Sequence, residues 1–264
     1  MEEILKTILY EWQERKLPKV IKRNIKIETK KSTFLRKAKV ITGFRRTGKT
    51  YLLFSLIQKL LKTYNRTQII YINFEDERLP LKTEVLSGLL PTIRAVFGKD
   101  PAYLFLDELQ NIPHWSKWLR RILDQKEISI FVTGSSSKMS SFEMPTELRG
   151  RSWETKVYPL DFDEFLRFKR KAVNWEKVKH LPDERAKLNF LFNEYLLWGG
   201  LPEVVLIPEE KKQELLQNYF QTVVRKEIME RFQVKNEEVL KAFLKLLINS
   251  TSFSVSKMYK NLKS

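Results

Sequence analysis

The sequence predicts an α/β fold, a parallel five-stranded sheet with helices between its strands, followed by an all-helical region. Three observations carry this. Short apolar runs alternate with stretches of helical periodicity as far as about Asp161, the rhythm of strands buried on both faces and joined by crossover helices. Beyond that point the strand signal stops and only helical periodicity remains. Between the first apolar run and the first long helical pattern stands a loop bounded by Gly43 and Gly48, the setting in which a strand–loop–helix unit cradles phosphate.

Taken in order, Ile4, Leu5, Ile8, Leu9 and Trp12 recur at helical spacing before Pro18, and a basic arm runs from there to Lys39. Val40 to Thr42 is the first strand, Gly48 to Tyr64 a helix and Gln68 to Asn73 the second strand. A helical stretch follows that Pro91 is expected to interrupt, because proline lacks the N–H and crowds the preceding turn. Tyr103 to Leu106 is the third strand, Trp115 to Leu123 a helix, and Ile128 to Thr133 and Trp153 to Tyr158 the last two strands. Helices are then expected around Asp163 to Arg170, Glu184 to Trp198, Glu209 to Phe232 and Asn236 to Ile248.

Composition narrows the function. With 42% hydrophobic and 12% aromatic residues in 264, the chain can bury a sizeable core. Its formal net charge of +17 attracts polyanions without specificity, which makes DNA a candidate partner; a lysine-rich surface of the kind found in heat-adapted proteins accounts for part of the charge with no partner. Zero cysteines exclude disulfides and thiolate metal sites, and His114 and His180 alone make no zinc site. The same absence fits a reducing cytoplasm or a hot environment. The amino terminus lacks the basic start and apolar block of a signal peptide, and no run approaches the roughly 20 apolar residues that cross a bilayer. A cytoplasmic protein without a membrane partner is the expectation.

Gly43-Phe44-Arg45-Arg46-Thr47-Gly48-Lys49-Thr50 matches G-x-x-x-x-G-K-[ST]. Its glycines let successive amides face phosphate oxygens, and the helix start adds its dipole. Lys49 reaches the β and γ phosphates and Thr50 ligates magnesium. The nucleotide-contacting set is Gly43, Arg45, Arg46, Thr47, Gly48, Lys49, Thr50 and Tyr51. Tyr103-Leu104-Phe105-Leu106 ends in Asp107 and Glu108, two acids with separable tasks: Asp107 holds magnesium through water and Glu108 is the general base for the attacking water. Phe131-Val132-Thr133-Gly134-Ser135-Ser136 ends the fourth strand in hydroxyls that can meet the γ phosphate or the lytic water, with Ser135 the chosen candidate. Arg149 and Arg151 flank Gly150 before the fifth strand. Arg151 is the candidate for neutralising the transition state, although a surface pair fits the spacing equally. Only eight glycines occur, and six of them, at 43, 48, 134, 150, 199 and 200, fall in these elements and in Trp198-Gly199-Gly200-Leu201-Pro202. That last segment also suits an ordinary helix end.

In this order the motifs resemble the AAA+-related ATPases common in archaea and some bacteria. The residues that carry the resemblance are Gly43 to Thr50, Tyr71-Ile72-Asn73-Phe74-Glu75-Asp76, Leu106-Asp107-Glu108-Leu109-Gln110, Thr133-Gly134-Ser135-Ser136, Gly150-Arg151, Pro159-Leu160-Asp161-Phe162 and Gly199-Gly200-Leu201-Pro202-Glu203. The resemblance implies a three-layer P-loop core with sheet order 5-1-4-3-2, Thr133 or Ser135 as sensor, and an arginine finger at Arg149 or Arg151. It also implies that Pro202 packs on adenine, with Val20, Ile21 and Arg23 on the other side. Where the family has an Arg-Asp pair this chain has Lys226-Glu227, so no second sensor is assigned. Ser252 to Tyr259 looks like the cap and first helix of a helix-turn-helix. Family members continue through a winged-helix module, which implies a chain shortened relative to them. Four segments follow: 1–36, an amino-terminal helix and basic arm; 37–170, the ATPase core; 171–232, a helical lid; and 233–264, the start of a winged helix.

The expected activity is magnesium-dependent hydrolysis of ATP to ADP and phosphate that drives movement of the helical region, with DNA as a candidate coupled partner. The alternative is a slow nucleotide-gated switch with little turnover. A GTPase is disfavoured because no Asn/Thr-Lys-x-Asp segment occurs. A small-molecule kinase is disfavoured because the Asp107-Glu108 pair suits water activation. Oligomeric state stays open.

Overall fold

The five strands are all parallel and lie in the order β2-β3-β4-β1-β5, the order 5-1-4-3-2 read from the other edge. The structure, a computed structural model, describes residues 1–29, 36–135, 146–249 and 254. Part of the basic arm, Ser136 with the serine-rich loop after it, and the helix-turn-helix start expected at Ser252 to Tyr259, apart from Ser254, lie outside the described residues. The chain forms two compact units, Met1–Leu206 and Ile207–Ser264.

In the first unit, α1 (Glu2–Glu14) buries the predicted stripe Leu5, Ile8, Leu9 and Trp12. The Trp12 indole N–H donates to the Ile69 carbonyl at 2.7 Å, so the one polar atom of the largest side chain is satisfied where it is buried. Strands β1 (Ala38–Gly43), β2 (Ile69–Asn73), β3 (Tyr103–Asp107), β4 (Ser129–Ser135) and β5 (Ser152–Val157) form the sheet. The central β1, β3 and β4 are buried nearly throughout, as parallel strands covered on both faces must be. Phe105 and Phe131 stack across β3 and β4 with ring centroids 4.6 Å apart. Helices α2 (Lys49–Leu60), α3 (Thr83–Phe97) and α4 (Trp115–Gln125) are the crossovers.

Helix α3 corrects one expectation, because Pro91 does not interrupt it. The carbonyl one turn earlier belongs to Ser87, followed by Gly88, so small residues underlie the ring. Thr92 Oγ1 donates to the Gly88 carbonyl at 2.8 Å, and Leu86, Leu89, Leu90 and Ile93 bury the helix on both sides of the proline. Tertiary burial outweighs the local penalty.

After β5 come α5 (Phe162–Phe168), α6 (Trp175–His180), α7 (Pro182–Trp198) and α8 (Pro202–Leu206). Helix α6 was not expected; Asn174 caps it by accepting from the Lys177 N–H at 3.1 Å. Leu160, Phe165, Leu166 and Val205 form a second, smaller core. The second unit holds α9 (Glu209–Thr222), which runs on through a π-helical segment, Val223–Met229, into Glu230–Phe232, and then α10 (Glu237–Ile248).

Candidate nucleotide-binding site

Parallel pairing puts the carboxyl ends of all five strands on one edge: Gly43 pairs with Ser135 and with Val157, and Asn73 with Asp107. Ligands of open α/β sheets bind at this edge, and the Gly43–Thr50 loop spans it between β1 and α2.

The loop is held by contacts that explain its residues. A Cβ on Gly43 would meet the Val157 carbonyl oxygen at 2.4 Å, so only glycine fits against β5. Gly48 has φ 91, a left-handed conformation that suits glycine. Thr47 Oγ1 donates to the Phe44 carbonyl at 2.8 Å and closes the turn. Lys49 is buried, with Nζ 3.2 Å from the Gly43 and Phe44 carbonyls. Burial pushes its ammonium below the ordinary lysine value, against the opposing charges of Glu108 and Asp107.

Asp107 is 1% exposed. Tyr71 Oη donates to Asp107 Oδ2 at 2.8 Å and the Thr133 hydroxyl donates to Oδ1. The Thr133 oxygen accepts the Glu108 N–H at 3.0 Å, so one hydroxyl positions both acids. Ser135, the other candidate hydroxyl, is buried at the end of β4 and pairs in register with Gly43. Glu108 takes φ 55 and turns back toward the loop, with Oε1 3.9 Å from Lys49 Nζ and Oε2 accepting from Gln110 Nε2 at 2.5 Å. Burial raises its carboxyl above the ordinary carboxylate range, outweighing the lowering by Gln110 and Lys49.

The described residues contain no cluster of three or more His, Cys, Asp or Glu that could cage a metal. Thr50 in the first turn of α2 and Asp107 at the end of β3 fit instead a magnesium ion that keeps water and phosphate ligands. Arg46 reaches Glu203 at 3.6 Å, and the Pro202 ring lies 3.7 Å from where a Gly48 Cβ would be, so the start of α8 comes to the phosphate loop. The Tyr51 side chain is exposed, edge-on to Phe54 at 6.2 Å.

Arg151 is not brought to this edge. It precedes β5, where Ala38 donates to its carbonyl at 2.9 Å, and its guanidinium pairs with Asp124. That is the amino-terminal edge of the sheet, roughly 20 Å along the strand from Gly43. The sequence leaves open whether Arg149 or Arg151 acts, and whether on this chain's own site or a neighbouring copy's. Arg23, which the resemblance sets opposite Pro202 across adenine, donates from Nη1 to the Thr47 carbonyl at 2.9 Å, and that nitrogen lies 3.8 Å from where a Gly48 Cβ would be. Tyr71, two positions along the same strand face from Asn73, is a site residue that periodicity does not reveal.

The Gly-Gly-Leu-Pro segment is more than a helix end. Gly199 closes α7 with φ 72 and ψ −171, a region open essentially to glycine alone. Gly200 accepts from the Leu160 N–H at 2.7 Å, and a Cβ there would lie 2.2 Å from the Leu160 oxygen. Gly200→Ala is expected to cost about 1–3 kcal/mol through this backbone clash and to lower the melting temperature by several degrees, measurable by differential scanning fluorimetry. An unchanged midpoint would show that the close approach is dispensable.

The strand order, the phosphate loop at the strand ends and the paired acids, Asp107 and Glu108, at the end of β3 define a P-loop nucleotide-binding domain. The AAA domain family model matches residues 35–166, half of the chain, and the protein belongs to that family. A second model, for a domain of unknown function, matches residues 189–264. Uncharacterized protein MJ1544 of Methanocaldococcus jannaschii is 40% identical over 252 residues, covering 94% of this chain and 54% of that protein. An uncharacterized protein of Haemophilus influenzae is 32% identical over 217 residues, covering 80% of this chain and 51% of that protein. The chain thus spans about half the length of these curated relatives. Among solved structures, AMPPCP-bound DnaA from Aquifex aeolicus aligns with TM-score 0.41 and 18% identity, over 96% of this chain and 69% of that one. The Aeropyrum pernix ORC1 protein in complex with DNA aligns with TM-score 0.38 and 14% identity, over 99% and 75%. No helix among the described residues is long and apolar enough to cross a membrane.

Proposed function

We propose that the protein is a magnesium-dependent ATPase. The observation that carries this is the Asp107–Glu108 pair beside the phosphate loop, one acid held by two hydroxyls and the other turned back to within 3.9 Å of Lys49. In this reading the loop amides from Gly43 to Tyr51 and Lys49 bind the phosphates, and Pro202 packs on adenine. Magnesium, held by Thr50 and through water by Asp107, supplies charge neutralisation at the β and γ phosphates. Glu108 takes the proton of the attacking water, and Ser135 contacts the γ phosphate or that water. Turnover moves the helical lid, residues 171–232, relative to the core. If Arg151 acts, it acts on the site of a neighbouring copy. The test is ATP turnover by the purified chain with and without magnesium; no magnesium-dependent turnover above that of Lys49→Ala would sink the proposal.

A slow nucleotide-gated switch is the second reading. It is favoured by the Gln110 amide on Glu108 Oε2, a hydrogen bond that stabilises the carboxylate form and so makes Glu108 a weaker base.

The net charge of +17 supports duplex DNA as a polyanionic partner. Binding would be driven by phosphates, so its affinity is expected to fall steeply, by about a thousandfold between roughly 50 and 200 mM salt for some six contacts. A flat salt response in fluorescence anisotropy would remove DNA from the reading.

A further inference from the structure

We infer that Arg23, on the segment preceding the core, is a positioning residue for nucleotide binding that holds the Thr47–Gly48 peptide with its N–H facing the phosphate cradle. The inference rests on the nucleotide-binding reading above.

The Arg23 side chain is 8% exposed and its guanidinium is divided among three acceptors. Nε donates to Glu164 Oε1 at 2.8 Å, Nη1 to the Thr47 carbonyl at 2.9 Å and Nη2 to the Tyr158 carbonyl at 2.9 Å. Glu164, 3% exposed, also accepts the Asn24 N–H at 2.6 Å and the Asp161 N–H at 3.2 Å. The pair is neutral as a unit, and each of the three guanidinium nitrogens has an acceptor, the kind of compensation a buried ion pair needs in order to persist. Arg23 therefore presents no net charge to phosphate, and its influence must be geometric.

The geometry follows from the peptide unit. In a planar trans peptide the carbonyl and the next N–H point in opposite directions, and no described peptide is cis. Drawing the Thr47 carbonyl back onto Arg23 therefore turns the Gly48 N–H away from Arg23, toward the open side of the loop. Gly48 needs such an anchor because glycine accepts either sign of φ, so nothing in its own backbone prevents this peptide from flipping. One planar fork serves three acceptors on the phosphate loop, the end of β5 and α5. A lysine ammonium, a point charge on a flexible stem, cannot reproduce that arrangement.

The test compares Arg23→Lys, which keeps the charge, with Arg23→Met/Glu164→Gln, which removes both charges and strands neither. ADP binding is measured by titration calorimetry and ATP turnover by phosphate release. A charge-assisted amide–phosphate contact made equally in the ground and transition states is lost, so Kd for ADP and KM for ATP should both rise about tenfold or more while kcat stays within about twofold. A merely structural clamp would lower the melting temperature without this KM-against-kcat split. Parental Kd and KM in both variants would overturn the inference, as would a fall in kcat at parental KM. If the double variant fails to fold, Arg23→Lys decides alone. The Lys49→Ala control separates the two readings: a parent that binds ADP no better than Lys49→Ala removes the nucleotide site and this inference together, whereas a tight-binding parent with equally tight Arg23 variants removes only the inference.

Discussion

Glu108→Gln is expected to lower ATP turnover by about 10²–10⁴-fold while ATP stays bound, because the variant keeps the shape and hydrogen bonding of the side chain but cannot take a proton from water. Single-turnover and retention measurements on the same sample would show it. Burial raises the Glu108 carboxyl above the ordinary carboxylate range, which sets two further expectations. The base works only when ionised, so turnover should fall as pH drops through this raised value, at higher pH than an unperturbed glutamate would allow. The sign for stability is opposite to that of a salt-bridged acid. A carboxyl with a folded pKa above its unfolded one destabilises the fold at neutral pH, and the penalty is relieved as pH falls through the folded value. Glu108→Gln should therefore melt no lower than the parent, and on the order of a degree or two higher. Turnover retained in the variant, or lost together with a lower melting temperature, would exclude Glu108 as the base.

Lys49→Ala should remove most ATP affinity and turnover together. The ammonium is buried at the loop, 3.2 Å from two of its carbonyls and 3.9 Å from Glu108, so its charge acts in a site poor in water. Losing such a preorganised charge is expected to cost about 10²–10³-fold in turnover, with a weaker Kd for ATP by calorimetry. Its partner Glu108 then loses an opposite charge, so any residual activity should have its acid limb at still higher pH. The ammonium is itself depressed by burial, so the nucleotide-free variant should keep a parental melting temperature. An unfolded Lys49→Ala, or one with parental affinity, would contradict this account of the site.

The strands and the long crossover helices were legible because each repeats a local pattern. Buried parallel strands are continuous apolar runs, as Tyr103–Asp107 shows, and α1 carries its apolar residues at helical spacing. The phosphate loop was legible because its chemistry needs glycine, lysine and threonine at set intervals along one stretch of chain. Pro91 was misread for the complementary reason: local propensity names the penalty, while the burial of Leu86, Leu89, Leu90 and Ile93 that outweighs it comes from distant elements. Helix α6 was missed because its six residues bury nothing, so no apolar stripe announces it.

The sequence by itself determined the class of fold, the loop that can cradle phosphate and the two acids that follow a strand, since each is set by residues adjacent in the chain. Which groups orient those acids, and what lies behind the loop, was decided only in three dimensions. Tyr71 and Thr133 meet Asp107 because β2 and β4 flank β3. Arg151 is taken away from the site because a parallel strand begins at the edge opposite to where it ends. Arg23 is one cation among 49 lysines and arginines, and burial between the loop and α5 gives it its three partners. Hydrogen bonds between residues that lie on different elements of the fold leave no period in a sequence, so only the packed sheet reveals them.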